Sequence, residues 1–182
     1  MPKRIVFVIN SLAGGGAERV FSTLLSASGP YRGEHDVSVV LLDRDEQAYD
    51  LPRELPVRQL DCRHSLTRSI ARLTRTANRT KGDLAVSFLT RANVAAAVAM
   101  ILRRRPFVIS ERVDTSAHLP TGRFARARRF LVRLTYPRAA AVIAVSNGVA
   151  DTLVRDFGVD PNKISVVFNP VDLERIAALA AE

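Results

Sequence analysis

Five short segments of this 182-residue chain carry side chains able to do chemistry directly after apolar runs. The carboxyl ends of buried parallel strands, where open α/β sheets hold their ligands, would fall at those places. The first segment is Asn10-Ser11-Leu12-Ala13-Gly14-Gly15-Gly16-Ala17-Glu18-Arg19. Glycines let the backbone come close to a ligand, and a helix starting behind Gly15 and Gly16 offers free N–H groups and a positive dipole end to phosphate or sugar oxygens. A dinucleotide-binding loop is the rival reading. Gly14 and Gly16 match its first two glycines, but the third falls on Arg19, whose bulk opposes the close helix-to-strand packing that glycine permits. Asp43, just past the second strand-like run, could still meet a ribose there, and a purely structural glycine turn is a further reading.

In Thr90-Arg91-Ala92-Asn93, Arg91 and Asn93 stand at an expected helix start, suited either to a phosphate-bearing acceptor or to capping and surface roles. Ser110-Glu111-Arg112-Val113-Asp114 brings a hydroxyl, a carboxylate and a guanidinium to the rim where a reacting group would lie, although a structural Glu–Arg pair would look the same. In Val145-Ser146-Asn147-Gly148 the main job expected of Ser146 is to cap a helix. Asn169-Pro170-Val171-Asp172 is a rigid turn after the last strand-like run.

The elements that must position these groups alternate. Arg4–Ile9 is a continuous apolar run of the kind buried on both faces of a parallel sheet, and Ala17–Ser28 follows with helical spacing. Strands are predicted at 37–42, 57–60, 84–89, 107–110, 140–145 and 164–168, and helices at 65–80, 92–102, 123–135 and 147–157, the last stopped by Gly158. Helix 65–80 sets Leu66, Ile70, Leu73 and Ala77 on one stripe, with Arg68, Arg72, Arg75 and Arg79 nearly opposite. Helix 123–135 is expected to turn Phe124, Ala127, Leu131 and Leu134 inward and Arg126, Arg129 and Arg133 outward. The alternation predicts an α/β, Rossmann-like, open and mostly parallel sheet with helices on both faces. Residues 1–170 read as one domain, and 171–182 as the start of a linker.

Composition narrows the classes. With 47% apolar residues the chain can bury one substantial core. No apolar run approaches the roughly 18 residues that span a bilayer, and the N-terminus shows no signal-peptide core, so a cytoplasmic location is expected. One cysteine, Cys62, and three histidines far apart in sequence predict no disulfide and no metal. Arginine supplies 24 of the 27 basic residues behind a net charge of +9, which favours phosphate-bearing partners. Without tryptophan or a recognisable nucleic-acid motif, nucleic-acid binding is not expected.

Four of these stretches, taken together, resemble a known family: GGAERV (Gly15–Val20), SER (Ser110–Arg112), AVIAVSNGVADTL (Ala141–Leu153) and KISVVFNPVD (Lys163–Asp172). They are similar to the retaining glycosyltransferases of family 4, which have the two-domain GT-B fold, and particularly to members that extend lipid-linked sugars in cell-surface glycan assembly. The resemblance implies that this is the N-terminal, acceptor-binding domain, with the active site in a cleft shared with a second domain. It also implies a nucleotide-sugar donor, a phosphate-bearing or lipid-linked acceptor, and no metal or other cofactor. Glu111 becomes the catalytic candidate, and Gly15, Gly16, Arg91, Asn93, Ser110, Arg112, Ser146 and Asn169 the substrate-binding candidates. Many members carry a histidine in the Glu111 loop, and this chain does not. The family's paired glutamates belong to the second domain, so this stretch alone is expected to be inactive. The two basic helices become candidates for docking on an anionic membrane surface. A non-catalytic sugar-binding module working with a partner chain, or an NAD-type oxidoreductase domain, are the alternatives.

Overall fold

The computed structural model describes residues 2–80, 82–113 and 125–170, without the side chains at 30, 31, 79 and 80. The turn at Asp114, the first residues of the helix expected from Arg123, the Val171-Asp172 step and the expected linker 171–182 lie outside the described residues.

Strands β1 (Arg4–Ile9), β2 (Asp36–Leu41), β3 (Val57–Gln59), β4 (Leu84–Phe88), β5 (Phe107–Glu111), β6 (Ala141–Ala144) and β7 (Ile164–Val166) form one sheet in the order β3-β2-β1-β4-β5-β6-β7. Every pairing is parallel, from Ile9 beside Leu41 at one side to Ala144 beside Val166 at the other. The order reverses between β1 and β4, which opens a crevice at their carboxyl ends.

Alternation along each strand divides the core in two. Ile9, Val39, Leu41 and Phe88 face α1 (Gly16–Ala27), where Phe21 and Leu25 meet them. Val8, Val40, Ala85, Ile109 and Val142 face the other way, toward α3 (Leu66–Thr80), α4 (Thr90–Leu102), α5 (Ala125–Thr135) and α6 (Asn147–Phe157). Helices therefore cover both faces unevenly. The first two connections run from β1 toward β3, only the first of them through helices. All later ones run the other way with their helices on the opposite face, as right-handed crossovers require. Helix α4 is apolar all round, with Ala92, Ala95, Ala96, Ala97 and Ala99 buried, because it lies between the sheet and its neighbouring helices. A short helix, α2 (Gly29–Arg32), and 3₁₀ turns at Tyr136–Arg138 and Pro161–Lys163 had no clear signal in the sequence.

The stripe expected on α3 is present: Leu73 is buried, Leu66, Ile70 and Ala77 pack on the core, and Arg68, Arg72 and Arg75 are exposed. On α5 the stripe is rotated. Val132 and Thr135 are buried, while Ala127, Phe130 (63% exposed) and Leu134 (42% exposed) face outward. Arg129 lies over the Phe157 ring and pairs with Asp156. The anchor is Tyr136, fully buried one turn beyond Val132, which fixes the rotation against the amphipathic pattern of the helix itself.

Candidate functional site at the carboxyl ends of β1, β4 and β5

Strand β1 is followed by a buried Ser11 and a fully buried Leu12, which anchor the glycine loop; Gly14, Gly15 and Gly16 are exposed. Gly14 needs its lack of a side chain, since its φ is +115°. Gly15 is the N-cap of α1 and makes no side-chain cap; the carboxylate of Glu18 in the first turn lies close over it, where a side chain at this position would collide. Gly16 has open space where a Cβ would stand. Nothing within the described residues demands glycine there, so a need for it must come from a ligand or a docked domain. Gly16→Val should therefore leave the melting temperature within a few degrees of wild type. If the loop approaches substrate, the same change should reduce turnover by at least about tenfold, and a large loss of stability would show that the glycine is structural.

Successive residues of β5 go to opposite faces. Ser110 and Arg112 turn toward the α1 side: Arg112 Nε donates to Ser110 Oγ at 3.0 Å and Nη1 to Asn169 Oδ1 at 3.0 Å. The Arg112 guanidinium lies over the Phe88 ring, and Phe88 meets Phe21 of α1 edge-on, so packed contacts tie Arg112 to the helix behind the glycine loop. Arg112 is only 9% exposed, and its partners among the described residues are neutral: a hydroxyl, an amide oxygen and, at 3.5 Å, the Val167 carbonyl. No ion pair to it is found among the described residues. Burial lowers its pKa from the usual arginine value, though a guanidinium remains charged near neutrality. A buried cation with no charged partner among the described residues is a place for an anion.

Glu111 turns the other way, into the helix-rich core, and is fully buried. It accepts the Tyr136 O–H at 2.6 Å, the Asn93 amide at 3.3 Å and the Thr90 hydroxyl at 3.3 Å, beneath the N-terminus of α4. Burial first, then the Glu111 charge and the hydrogen bond to it, push the Tyr136 hydroxyl well above its ordinary pKa, so it stays a neutral donor. Asn93 is fully buried as well, its amide reaching Ser110 O and Tyr136 Oη besides Glu111. These two candidates hold the floor of the crevice together and present no surface of their own in this domain. Leu89, just before α4, is held at φ +72°, a strained backbone for a branched side chain at the same rim. Tyr136 and Thr90 were missed as partners of Glu111. A buried tyrosine needs somewhere to place its hydroxyl, but nothing in the sequence says where.

Arg91 is not free to meet a phosphate: it forms an ion pair with Asp43 and donates to Ser69 Oγ at 3.3 Å. Burial raises the Asp43 pKa, yet hydrogen bonds from Arg91 and the His64 N–H, with the charge of Arg91, outweigh it and leave the carboxyl below its usual range. This pairing therefore contributes stability above the ordinary aspartate pKa, and that stability is lost as pH falls through the lowered value. Acid unfolding of Asp43→Asn should accordingly be shallower than that of the parent. Closure of Asp43 by Arg91 also removes the carboxylate that would have held a ribose in the dinucleotide reading. Calorimetric titration with NAD should show no micromolar binding. The fold brings His64 beside Asp43 and Asp45, their ligand atoms within 4.8 Å of one another, which sequence spacing did not suggest. The Arg91 guanidinium already occupies Asp43, so a divalent ion there would have to share that carboxylate with a fixed positive charge.

Ser146 Oγ accepts the Val149 N–H at 3.3 Å and so caps α6, whose other end closes on Gly158 at φ +69°. Of the nine candidates, Ser110, Arg112 and Asn169 join in one network, Gly15 and Gly16 lie exposed on the loop at the same end of the sheet, Glu111 and Asn93 form the floor, and Arg91 and Ser146 hold other elements.

Comparison with known proteins bears on the fold and the family. The chain is 29% identical over 192 aligned residues to the N-acetylgalactosamine-N,N'-diacetylbacillosaminyl-diphospho-undecaprenol 4-alpha-N-acetylgalactosaminyltransferase of Campylobacter jejuni, covering 99% of this chain and 51% of that protein. It thus spans about half the length of that relative. Among solved structures, Anabaena HepE, crystallised with UDP and glucose, superposes with a TM-score of 0.67 at 22% identity over 94% of this chain and 46% of that one. UDP-N-acetylglucosamine 2-epimerase of Rickettsia bellii superposes with a TM-score of 0.70 at 9% identity over 100% of this chain and 49% of its own, so the architecture alone does not choose the reaction. Sequence does choose the family: residues 14–175 match the model of Glycosyltransferase Family 4, and the chain belongs to that family.

Proposed function

We propose that this chain is the acceptor-side half of a retaining glycosyltransferase that moves a sugar from a nucleoside diphosphate onto a saccharide carried by a lipid diphosphate. The observation that carries the reading is Arg112: a buried guanidinium at the carboxyl end of β5 whose partners among the described residues are all neutral. The Campylobacter relative acts on a diphospho-undecaprenol-linked saccharide, and HepE holds UDP and glucose. As the bond between the sugar's anomeric carbon and the diphosphate breaks, negative charge grows on the leaving oxygen, and fixed donors that await it lower the barrier. Arg112 and the N–H groups behind Gly15 are such donors, and they act without a metal. Asn169 and Ser110 keep the guanidinium in place.

The glutamates that grip the donor would stand in a second domain, so the 182-residue chain alone is inactive. Acceptor reaches the site from the cytoplasmic face of a membrane. Arg68, Arg72 and Arg75 on α3, and Arg126 and Arg133 beside exposed Phe130 and Leu134 on α5, suit an anionic lipid surface. The reading is tested by flotation with vesicles with and without anionic lipid, and by transfer assays of the full-length polypeptide beside the 182-residue chain. Transfer by the full-length form only, with lipid binding that falls in a Phe130→Ser, Leu134→Ser variant, is expected. Transfer by the short chain, or full-length protein indifferent to lipid, would contradict it.

A further inference from the structure

The glycine at position 15 answers to a neighbour rather than to its own backbone. Its φ of −86° suits any residue, but a Cβ there would run into the Glu18 carboxylate, with Glu18 Cδ only 2.9 Å away. The exposed surface of Gly15 therefore carries a carboxylate, set on the first turn of α1 at the carboxyl end of β1. A glutamate three residues past the N-cap commonly reaches back to accept the N-cap N–H, closing a capping box. That bond is not formed here. No hydrogen bond and no ion pair of the half-buried Glu18 side chain is found among the described residues, in a chain with 27 Lys and Arg against 18 Asp and Glu.

Packing places this carboxylate relative to Arg112. Residues three apart on a helix are neighbours, so Phe21 lies beside Glu18. The Phe21 ring meets Phe88, over which the Arg112 guanidinium lies. Glu18 and Arg112 thus stand on the same side of the sheet at the same end, tied through two packed rings, yet they form no ion pair with each other. Opposite charges held apart in this way suit a ligand that is anionic in one part and rich in hydroxyls in another. A carboxylate only accepts, on two oxygens, and so matches neighbouring hydroxyls of one sugar ring.

We propose that Glu18 selects the acceptor: its carboxylate takes hydrogen bonds from hydroxyls of the acceptor's terminal sugar, while Arg112 holds the diphosphate. The inference rests on the sugar transfer proposed above and adds to it the group that tells one acceptor from another. Gly15 is glycine because that carboxylate needs the space.

The test uses the full-length polypeptide, a polyprenyl-diphosphate-linked saccharide as acceptor, and analogues lacking one hydroxyl of its terminal sugar. Glu18→Ala should raise the KM for the intact acceptor by about tenfold or more, as loss of a hydrogen bond to a charged group implies, and leave the KM for the donor within about twofold. At least one deoxy analogue should be a poor substrate for the parent, and Glu18→Ala should use it as well as the intact acceptor, because the discriminating group is gone. Gly15→Ala, whose methyl group displaces the carboxylate, should shift the acceptor KM in the same direction and add nothing in a Glu18→Ala background. A capping role alone gives another pattern, a lower melting temperature with the acceptor KM unchanged, and that result would overturn the assignment. Transfer by the variants with the parent's KM and the parent's discrimination among the analogues would overturn it equally. A parent that transfers nothing would overturn the proposed reaction itself, and the assignment with it.

Discussion

Arg112→Ala in the full-length polypeptide is expected to lower kcat by about a hundred- to a thousandfold, the range seen when one fixed donor to a developing anion is removed. The domain should remain folded, because among the described residues the lost side chain bonds only to neutral oxygens and its removal strands no opposite charge there. Lysine should not rescue. One ammonium cannot hold the Ser110 hydroxyl and the Asn169 amide oxygen together while lying flat on the Phe88 ring. Steady-state kinetics at saturating acceptor decide the matter. A variant that loses affinity for donor but keeps kcat would place Arg112 in ground-state binding only.

Glu111→Ala should give the second large effect, and it should be on stability. Removing the carboxylate leaves the Tyr136 hydroxyl, the Asn93 amide and the Thr90 hydroxyl without their shared acceptor in a fully buried place. Three buried neutral donors left unpaired, at about 1–3 kcal/mol each, together cost about 3–5 kcal/mol, which corresponds to a fall of roughly 10 °C in melting temperature for a domain of this size. Tyr136→Phe removes one donor and should cost about 1–2 kcal/mol. The two changes should be strongly non-additive, because both break the same bond. Thermal unfolding of the single and double variants checks this. Glu111→Ala that melts like the parent yet fails to turn over would instead return Glu111 to direct chemistry.

The fold was legible because its signals are repetitive. Continuous apolar runs such as Arg4–Ile9 alternate with helical spacing, and the cap residues Ser146 and Gly158 bracket α6 as observed. The rotation of α5 was not legible. Its apolar residues suggest one inward stripe, but the position of Tyr136, set by a partner on a distant strand, selects another. The site shows the same division. That polar groups gather after β1, β4, β5 and β7 follows from spacing alone. Which of Ser110, Glu111 and Arg112 faces the crevice depends on strand parity relative to helices whose side of the sheet is a tertiary fact, and the capture of Arg91 by Asp43 joins residues 48 positions apart.

Sugar transfer onto a saccharide carried by a lipid diphosphate is the step on which the reading stands. Its most direct measurement is mass spectrometry of a polyprenyl-diphosphate-linked saccharide incubated with the full-length polypeptide and a panel of UDP-sugars. The account predicts that the acceptor gains the mass of one sugar residue as UDP is released, and that Arg112→Ala abolishes the gain. UDP-sugars that are isomerised or hydrolysed while the acceptor keeps its mass would contradict it.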